Sequence, residues 1–190
     1  MAENLDLEKW KYWCNILSVN SDICVSCVKW DDVESALIGL KLFTKDEEYR
    51  SRITENIVEQ CRNFIENSRV LDFDKCCNIQ VDAFHLLRNC CVGSKKNQDY
   101  VMSRGLLSTV IEILEQVLKL YQDSDVDCVK QVLSSGIQLL GNLVVEHSKN
   151  QETVWTRCYP YFFMKIMRCR YNEVKNYICM VIYNCMRQKA

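Results

Sequence analysis

The chain has 190 residues, of which 48% are hydrophobic and 26% charged, with a formal net charge of −1. Length suits one compact domain or a short repeat array, and that apolar share excludes intrinsic disorder. Five glycines and one proline, Pro160, are too few for the turns of a many-stranded β fold, so the class is all-α.

The opening stretch from Met1 to Glu8 is acidic and lacks both the layout of a secretory signal and a myristoylation glycine, so the expected location is cytoplasmic. Helical segments follow at about Leu5 to Val19, Asp22 to Phe43 and Asp46 to Ser68. They match the later repeat only loosely, and residues 1–73 are expected to form an amino-terminal cap. From Asp74 the pattern sharpens, giving one helical domain over 1–190 whose better-defined repeats occupy 74–190. The helix over Asp74 to Cys91 is expected to break near Asn78. A turn at Gly93-Ser94 leads to a short helix over Asn97 to Ser103, a break at Gly105, a second helix from Leu106 and a third over Asp125 to Glu146. A short helix then starts at Asn150. After a break near Cys158, with Pro160 suited to a helix start, the last helix runs from Asn172 to Arg187. The apolar run Tyr177 to Tyr183 is far short of the roughly 20 residues that span a bilayer.

The chain repeats itself. Leu87-Arg88-Asn89 followed by Asn97-Gln98 recurs 53 positions later as Leu140-Gly141-Asn142 followed by Asn150-Gln151. A third copy, Ile182-Tyr183-Asn184, lies 42 residues after Asn142, within the roughly 40 to 47 expected of armadillo and HEAT repeats. The difference of 11 residues falls around Glu115 to Asp127, where Val117, Leu118, Leu120 and Tyr121 lengthen a second helix by about three turns. In the middle copy Gly136, Ile137, Leu140, Leu143 and Val144 form one helical stripe. Ala83, Phe84, Leu87, Cys90 and Cys91 match it in the first copy, and Ile178, Cys179, Ile182, Cys185 and Met186 in the third. One repeat cannot bury such a stripe alone, so neighbours must stack into a right-handed α-solenoid of armadillo/HEAT type. Each asparagine stands two residues past the central Leu or Ile, about 200° around the helix and away from the core. Asn89, Asn142 and Asn184, with His85, Gln138 and Met180 one turn earlier, are the candidate partner-binding groove. The same asparagines also suit a second role, bonding carbonyls to hold repeats in register. Ile178, Ile182 and Met186 form an open carboxy-terminal face expected to support a homodimer.

The segment Leu140-Gly141-Asn142-Leu143 resembles the end of an armadillo third helix, where importin-α and β-catenin use the equivalent asparagine to clamp an extended peptide. His85, Gln138 and Met180 stand where importin-like repeats carry tryptophan. A nearer resemblance runs through Gly136-Ile137-Gln138-Leu139-Leu140-Gly141-Asn142, Val154-Trp155 and Pro160-Tyr161-Phe162. These are similar to the ataxin-10 family's Gly-Leu-Gln-Phe-Leu-Gly-Asn segment, its following Val-Trp and its Pro-x-x-Phe region, and Leu87 to Cys91 with Asn97-Gln98 resembles the family's preceding repeat. The match covers Val81 to Met186. It implies an amino-terminal fragment of a longer cytoplasmic scaffold with roles in neuron survival, neurite outgrowth and cytokinesis. The partners implied are a heterotrimeric G-protein β subunit and an O-GlcNAc transferase.

Other chemistry is weakly signalled. Thirteen cysteines in a cytosolic chain read first as small core residues. Cys24-Val25-Ser26-Cys27 is the one CxxC, with both thiols expected on one helical face, and a cysteine-based metal or redox domain is the alternative reading. A structural zinc would need a second ligand pair from Cys76-Cys77, Cys90-Cys91 or His85. With two histidines, His85 and His147, and no phosphate loop, nucleophile elbow or HExxH, neither an enzyme nor a cofactor is expected. His147 is expected in a helix-ending turn, where a cation suits the dipole. Residues 157–190 carry seven Lys or Arg against Glu173 alone, beside Tyr159, Tyr161, Phe162 and Phe163. That segment suits an acidic protein partner better than nucleic acid.

Overall fold

A computed structural model describes residues 2–103, 105–120 and 126–187. Eleven α-helices occur among them: α1 (Ala2–Ser21), α2 (Trp30–Phe43), α3 (Glu47–Ser51), α4 (Glu55–Asn67), α5 (Phe73–Cys91), α6 (Lys95–Ser103), α7 (Leu106–Leu120), α8 (Asp127–Val144), α9 (Ser148–Cys158), α10 (Tyr161–Met167) and α11 (Asn172–Met186). They pack as an all-α solenoid. The helices α2, α5, α8 and α11 form one row, each against the next. A second row, α1, α4, α7 and α10, backs it, with each member lying against the following member of its own row and against the next long helix in the chain. Short α3, α6 and α9 occupy the turns between units.

The repeated stripe explains the stacking. Ala83, Phe84, Leu87, Cys90 and Cys91 are buried, as are Gly136, Ile137, Leu140, Leu143 and Val144. One continuous apolar core runs from Trp10 to Cys185. A fourth copy, without the asparagine, lies in α2. Ala36, Leu37, Leu40 and Thr44 are fully buried at the matching positions, and exposed Leu42 stands where the later units carry asparagine. In the last copy Ile178 and Cys185 are buried and Ile182 is partly so, whereas Cys179 and Met186 are exposed. Ile178 therefore packs within the chain rather than waiting for a further repeat, because it points back at the preceding layer.

The Asn-Gln pairs that mark the repeat have a physical job. A helix leaves its last four carbonyls without intrahelical partners. Asn97 Nδ2 donates to Cys90 O at 2.9 Å and Asn150 Nδ2 to Leu143 O at 3.0 Å, each closing the end of the preceding long helix. Gln151 Nε2 reaches Val144 O at 2.8 Å, and Gln98 Nε2 crosses to the next unit, to Asn142 O at 2.7 Å and Val145 O at 3.0 Å. In the first unit Arg50 replaces the asparagine, donating to Thr44 O at 3.3 Å and Lys45 O at 2.6 Å. The turns match too. Gly93 and Glu146, at φ 65° and 52°, end α5 and α8 in the left-handed region. The next residues cap the following short helix: Ser94 Oγ accepts from Asn97 N at 3.3 Å and His147 Nδ1 from Asn150 N at 3.4 Å.

Several expectations change. The helix α5 is unbroken at Asn78, whose exposed side chain does not compete with the backbone. The second helix of the long unit, α7, has 15 residues against 7 in α10, a lengthening of about two turns within the described residues; the rest of the expected extension, Tyr121 included, lies outside them. Pro160 precedes the first residue of α10 instead of occupying it. His147 opens α9 rather than closing α8, and its Nε2 bonds Asp99 at 3.0 Å.

Candidate functional site

The row of long helices is laced by side chains that cross from one helix to the next. Lys75 of α5 lies 2.5 Å from Asp31 and 2.6 Å from Glu34 of α2, and Lys41 of α2 bonds Asp82 of α5. Between α8 and α11, Lys130 pairs with Glu173 at 2.8 Å; Glu173 also accepts from Tyr177 at 2.9 Å, and Lys130 followed by Tyr177 holds its carboxyl below the ordinary range. Between α5 and α8 the tie differs: Arg88 Nη1 donates to Gln138 Oε1.

The asparagines add main-chain ties. Asn89 Nδ2 donates to Lys41 O at 3.2 Å and Asn142 Nδ2 to Arg88 O at 3.0 Å, so each hangs its helix on a carbonyl of the preceding long helix. This is the register-holding role expected of these side chains beside the groove role. Between α5, α8 and α11 lies a cavity of about 300 Å³. Its lining includes Gln138, Asn142, Met180 and Asn184, together with Arg88, Gly141 and Tyr177, over an apolar part from Ile137 and Val145. Four of the six candidate residues thus meet at one place. His85 and Asn89 do not line it. His85 is half-buried on α5, where burial first, then the charges of Arg88 and Lys41, lower its pKa.

Arg88, Gly141 and Tyr177 escape a search for matching asparagines: Arg88 and Gly141 share one repeat position but differ in residue type, and Tyr177 stands seven residues before Asn184. The signal available for Gly141 was its own mismatch: the position is Lys41, Arg88 and Tyr183 in the other copies. A Cβ at Gly141 would meet only Val181 Cγ2, at 3.8 Å, so the cavity stays open above it. A second cavity, of about 560 Å³, lies between α7, α8 and the turn before α11. Glu112, Lys119, Arg168 and the Glu115–Lys165 pair, 2.7 Å apart, edge it.

The cysteines divide. Cys61, Cys77, Cys90, Cys91, Cys158, Cys169 and Cys185 are buried, and burial pushes the Cys61 thiol up to about 12. Cys24, Cys27 and Cys179 are exposed, which corrects the core reading for these three. The CxxC lies at a 3₁₀ turn, Val25–Cys27, and not on a helical face; the Ser26 hydroxyl, 2.9 Å away, lowers the Cys24 pKa. Among the described residues no group of three His, Cys, Asp or Glu is arranged to hold a metal ion. Nor is any of the described helices long and apolar enough to cross a membrane. Of the aromatics in the basic segment, Phe162 and Phe163 are buried and Tyr159 and Tyr161 are exposed.

The fold and the cavity define an all-α solenoid with a surface recess on its row of long helices. Comparison with known proteins adds the relationship: the chain is ataxin-10-like. It is 28% identical to ataxin-10 of Xenopus tropicalis over 121 residues, covering 61% of this chain and 24% of that protein. It is 23% identical to ataxin-10 of Bos taurus and 21% identical to that of Homo sapiens, in each case over 110 residues, 57% of this chain and 22% of the relative. The matched stretch thus spans about a quarter of the length of these curated relatives. No protein-family model matches the chain, and no solved structure matches it.

Proposed function

We propose that the chain is a non-enzymatic protein-interaction scaffold of the armadillo type that receives a partner segment in the cavity between α5, α8 and α11. The observation that carries this reading is the convergence of Gln138, Asn142, Met180 and Asn184 on one recess, with Met180 61% exposed at its rim. A recess with an apolar base and a few convergent polar groups is the usual form of a binding site. The organisation that goes with it is a single domain over 1–190, with degenerate amino-terminal helices forming a cap over 1–73 and better-defined repeats over 74–190. His85 and Asn89 extend the binding surface along α5 beside the recess. By likeness to ataxin-10, the roles proposed are in neuron survival, neurite outgrowth and cytokinesis in the cytoplasm, through a G-protein β subunit and an O-GlcNAc transferase. The test is capture of each purified partner by the chain and by a Met180→Glu, Asn184→Ala variant. Both substitutions lie outside the core, so the melting temperature should hold while capture falls. Capture that is unaltered for both partners would sink the groove reading.

A second reading concerns self-association through the end of the row. Tyr183 is 63% and Met186 52% exposed on α11, beside exposed Cys179 and half-buried Ile182. An apolar face of this kind favours a homodimer. Light scattering at high concentration is expected to give more than a monomer's mass, and a monomer throughout would contradict it.

A further inference from the structure

The ties between successive long helices are not equivalent. Lys41 and Lys75 join α2 to α5, and Lys130 joins α8 to α11, and each of these ammonium groups meets a carboxylate. Between α5 and α8 the cation is Arg88, and its acceptors are neutral amides. Nη1 donates to Gln138 Oε1; Nε and Nη2 donate to Asn89 Oδ1, at 3.4 and 3.2 Å. A guanidinium carries five N–H groups. These three bonds leave one proton on each terminal nitrogen, and a carboxylate, with two acceptor oxygens, is the group suited to take both. The group is half-buried, so its charge is poorly hydrated, and it lines the cavity with Tyr177, Met180 and the open space above Gly141. Burial lowers the Arg88 pKa, and the lowering of the His85 pKa carries a contribution from the same charge.

We infer that Arg88 is a specificity-determining residue: the cavity between α5, α8 and α11 selects a protein segment carrying an aspartate or glutamate next to an apolar side chain. This rests on reading that cavity as the docking site. The carboxylate takes the two remaining Arg88 protons, and the apolar neighbour lies against the exposed side chains of Val145 and Met180. A nucleic-acid strand fits less well. Its phosphates need a row of available cations, whereas Lys41, Lys75 and Lys130 are already neutralised within the fold.

The test uses phage-displayed random heptapeptides selected on the chain, then synthesised and measured by fluorescence polarisation. Selected peptides should carry Asp or Glu beside an apolar residue. Exchanging that acid for its amide should weaken binding about tenfold or more, the size of a charge-assisted hydrogen bond. Arg88→Met should bind acid and amide forms alike, and Gly141→Phe, which fills the cavity, should bind neither. Equal binding of both forms by the unaltered chain, or selection of peptides without acids, overturns carboxylate recognition while leaving the cavity as the docking site. A selection that yields no binder, or binders indifferent to Gly141→Phe, overturns the docking site as well. Competition by an unstructured oligothymidylate against the selected peptides would assign the Arg88 site to phosphates and overturn the inference.

Discussion

At Asn150 a side-chain amide is 1% exposed and stands 3.0 Å from Leu143 O, so removing it strands a buried carbonyl. Asn142 is half-buried and its bond to Arg88 O is reached by water more easily. A buried acceptor left unpaired costs about 1–3 kcal/mol, and an ordinary intramolecular bond about 0.5–1.5 kcal/mol. Asn150→Ala is therefore expected to lower stability to urea by more than Asn142→Ala does, and equal losses would mean that burial does not set the ranking. The bond from Asn142 has a consequence for binding studies: this residue cannot be truncated as a silent groove mutation, whereas Met180 can. His85 gives a pH test. Burial first, then Arg88 and Lys41, hold its pKa below 6.5, and Asp82 opposes them in part. The unfolded chain titrates near 6.5, so as pH falls below about that value the unfolded state takes up a proton that the folded state refuses. Stability is full above the unfolded pKa and declines as pH drops towards the folded one. His85→Gln is expected to flatten that part of the curve, and the same midpoint shift in both proteins between about pH 7 and 5 would exonerate His85.

Gly39 shows how closely the elements are fitted. A Cβ there would sit 2.5–2.7 Å from the indole of Trp13 on α1, a rigid ring with no soft end to swing away. At Gly136 the nearest atom is Leu114 Cδ2 at 2.8 Å, a terminal methyl that can rotate. Alanine in a helix interior gains about 1 kcal/mol over glycine, while overpacking costs about 1–3 kcal/mol. Gly39→Ala should therefore lower the melting temperature, and Gly136→Ala should come close to neutral; the reverse order would show that α1 shifts freely on α2. The same fitting decides what the sequence discloses. The stripes of α5, α8 and α11 are legible because each buries one helical face at a 3.6-residue period. The α2 copy is hidden because Leu42 replaces its asparagine, losing that bond, and Arg50 replaces its capping amide, keeping the carbonyl cap while the letters change. That Gln138, Asn142, Met180 and Asn184 border one cavity is legible because adjacent long helices present one face to the same space. Arg88 and Tyr177 are not, since their place beside the cavity depends on the register of α5 and α11 against α8, which one helix's periodicity does not contain.

The whole molecule is bonded almost entirely between neighbours. Each long helix touches the next in its row, and the core, though continuous, passes through each layer in turn. Stability in such a stack is approximately a sum of layer terms and neighbour terms. The inner helices α5 and α8 have long helices on both sides. At the ends of the stack α1, which leads the second row, and α11, which closes the row of long helices, do not, and both carry exposed apolar side chains: Leu5, Tyr12 and Val19 at seven-residue spacing on α1, and Tyr183 and Met186 on α11. Opening an end layer forfeits one interface, and opening an inner one forfeits two. Amide hydrogen exchange should accordingly be slowest in α5 and α8 and faster in α1 and α11, since protection follows the free energy of the local opening. The gradient should also respond to association. If two copies meet through the α11 face, raising the concentration should slow exchange in α11 towards that of α8 while leaving α1 unchanged. Uniform protection from α1 to α11 at low concentration would mean that the stack opens as one unit, and the additive description would then be abandoned.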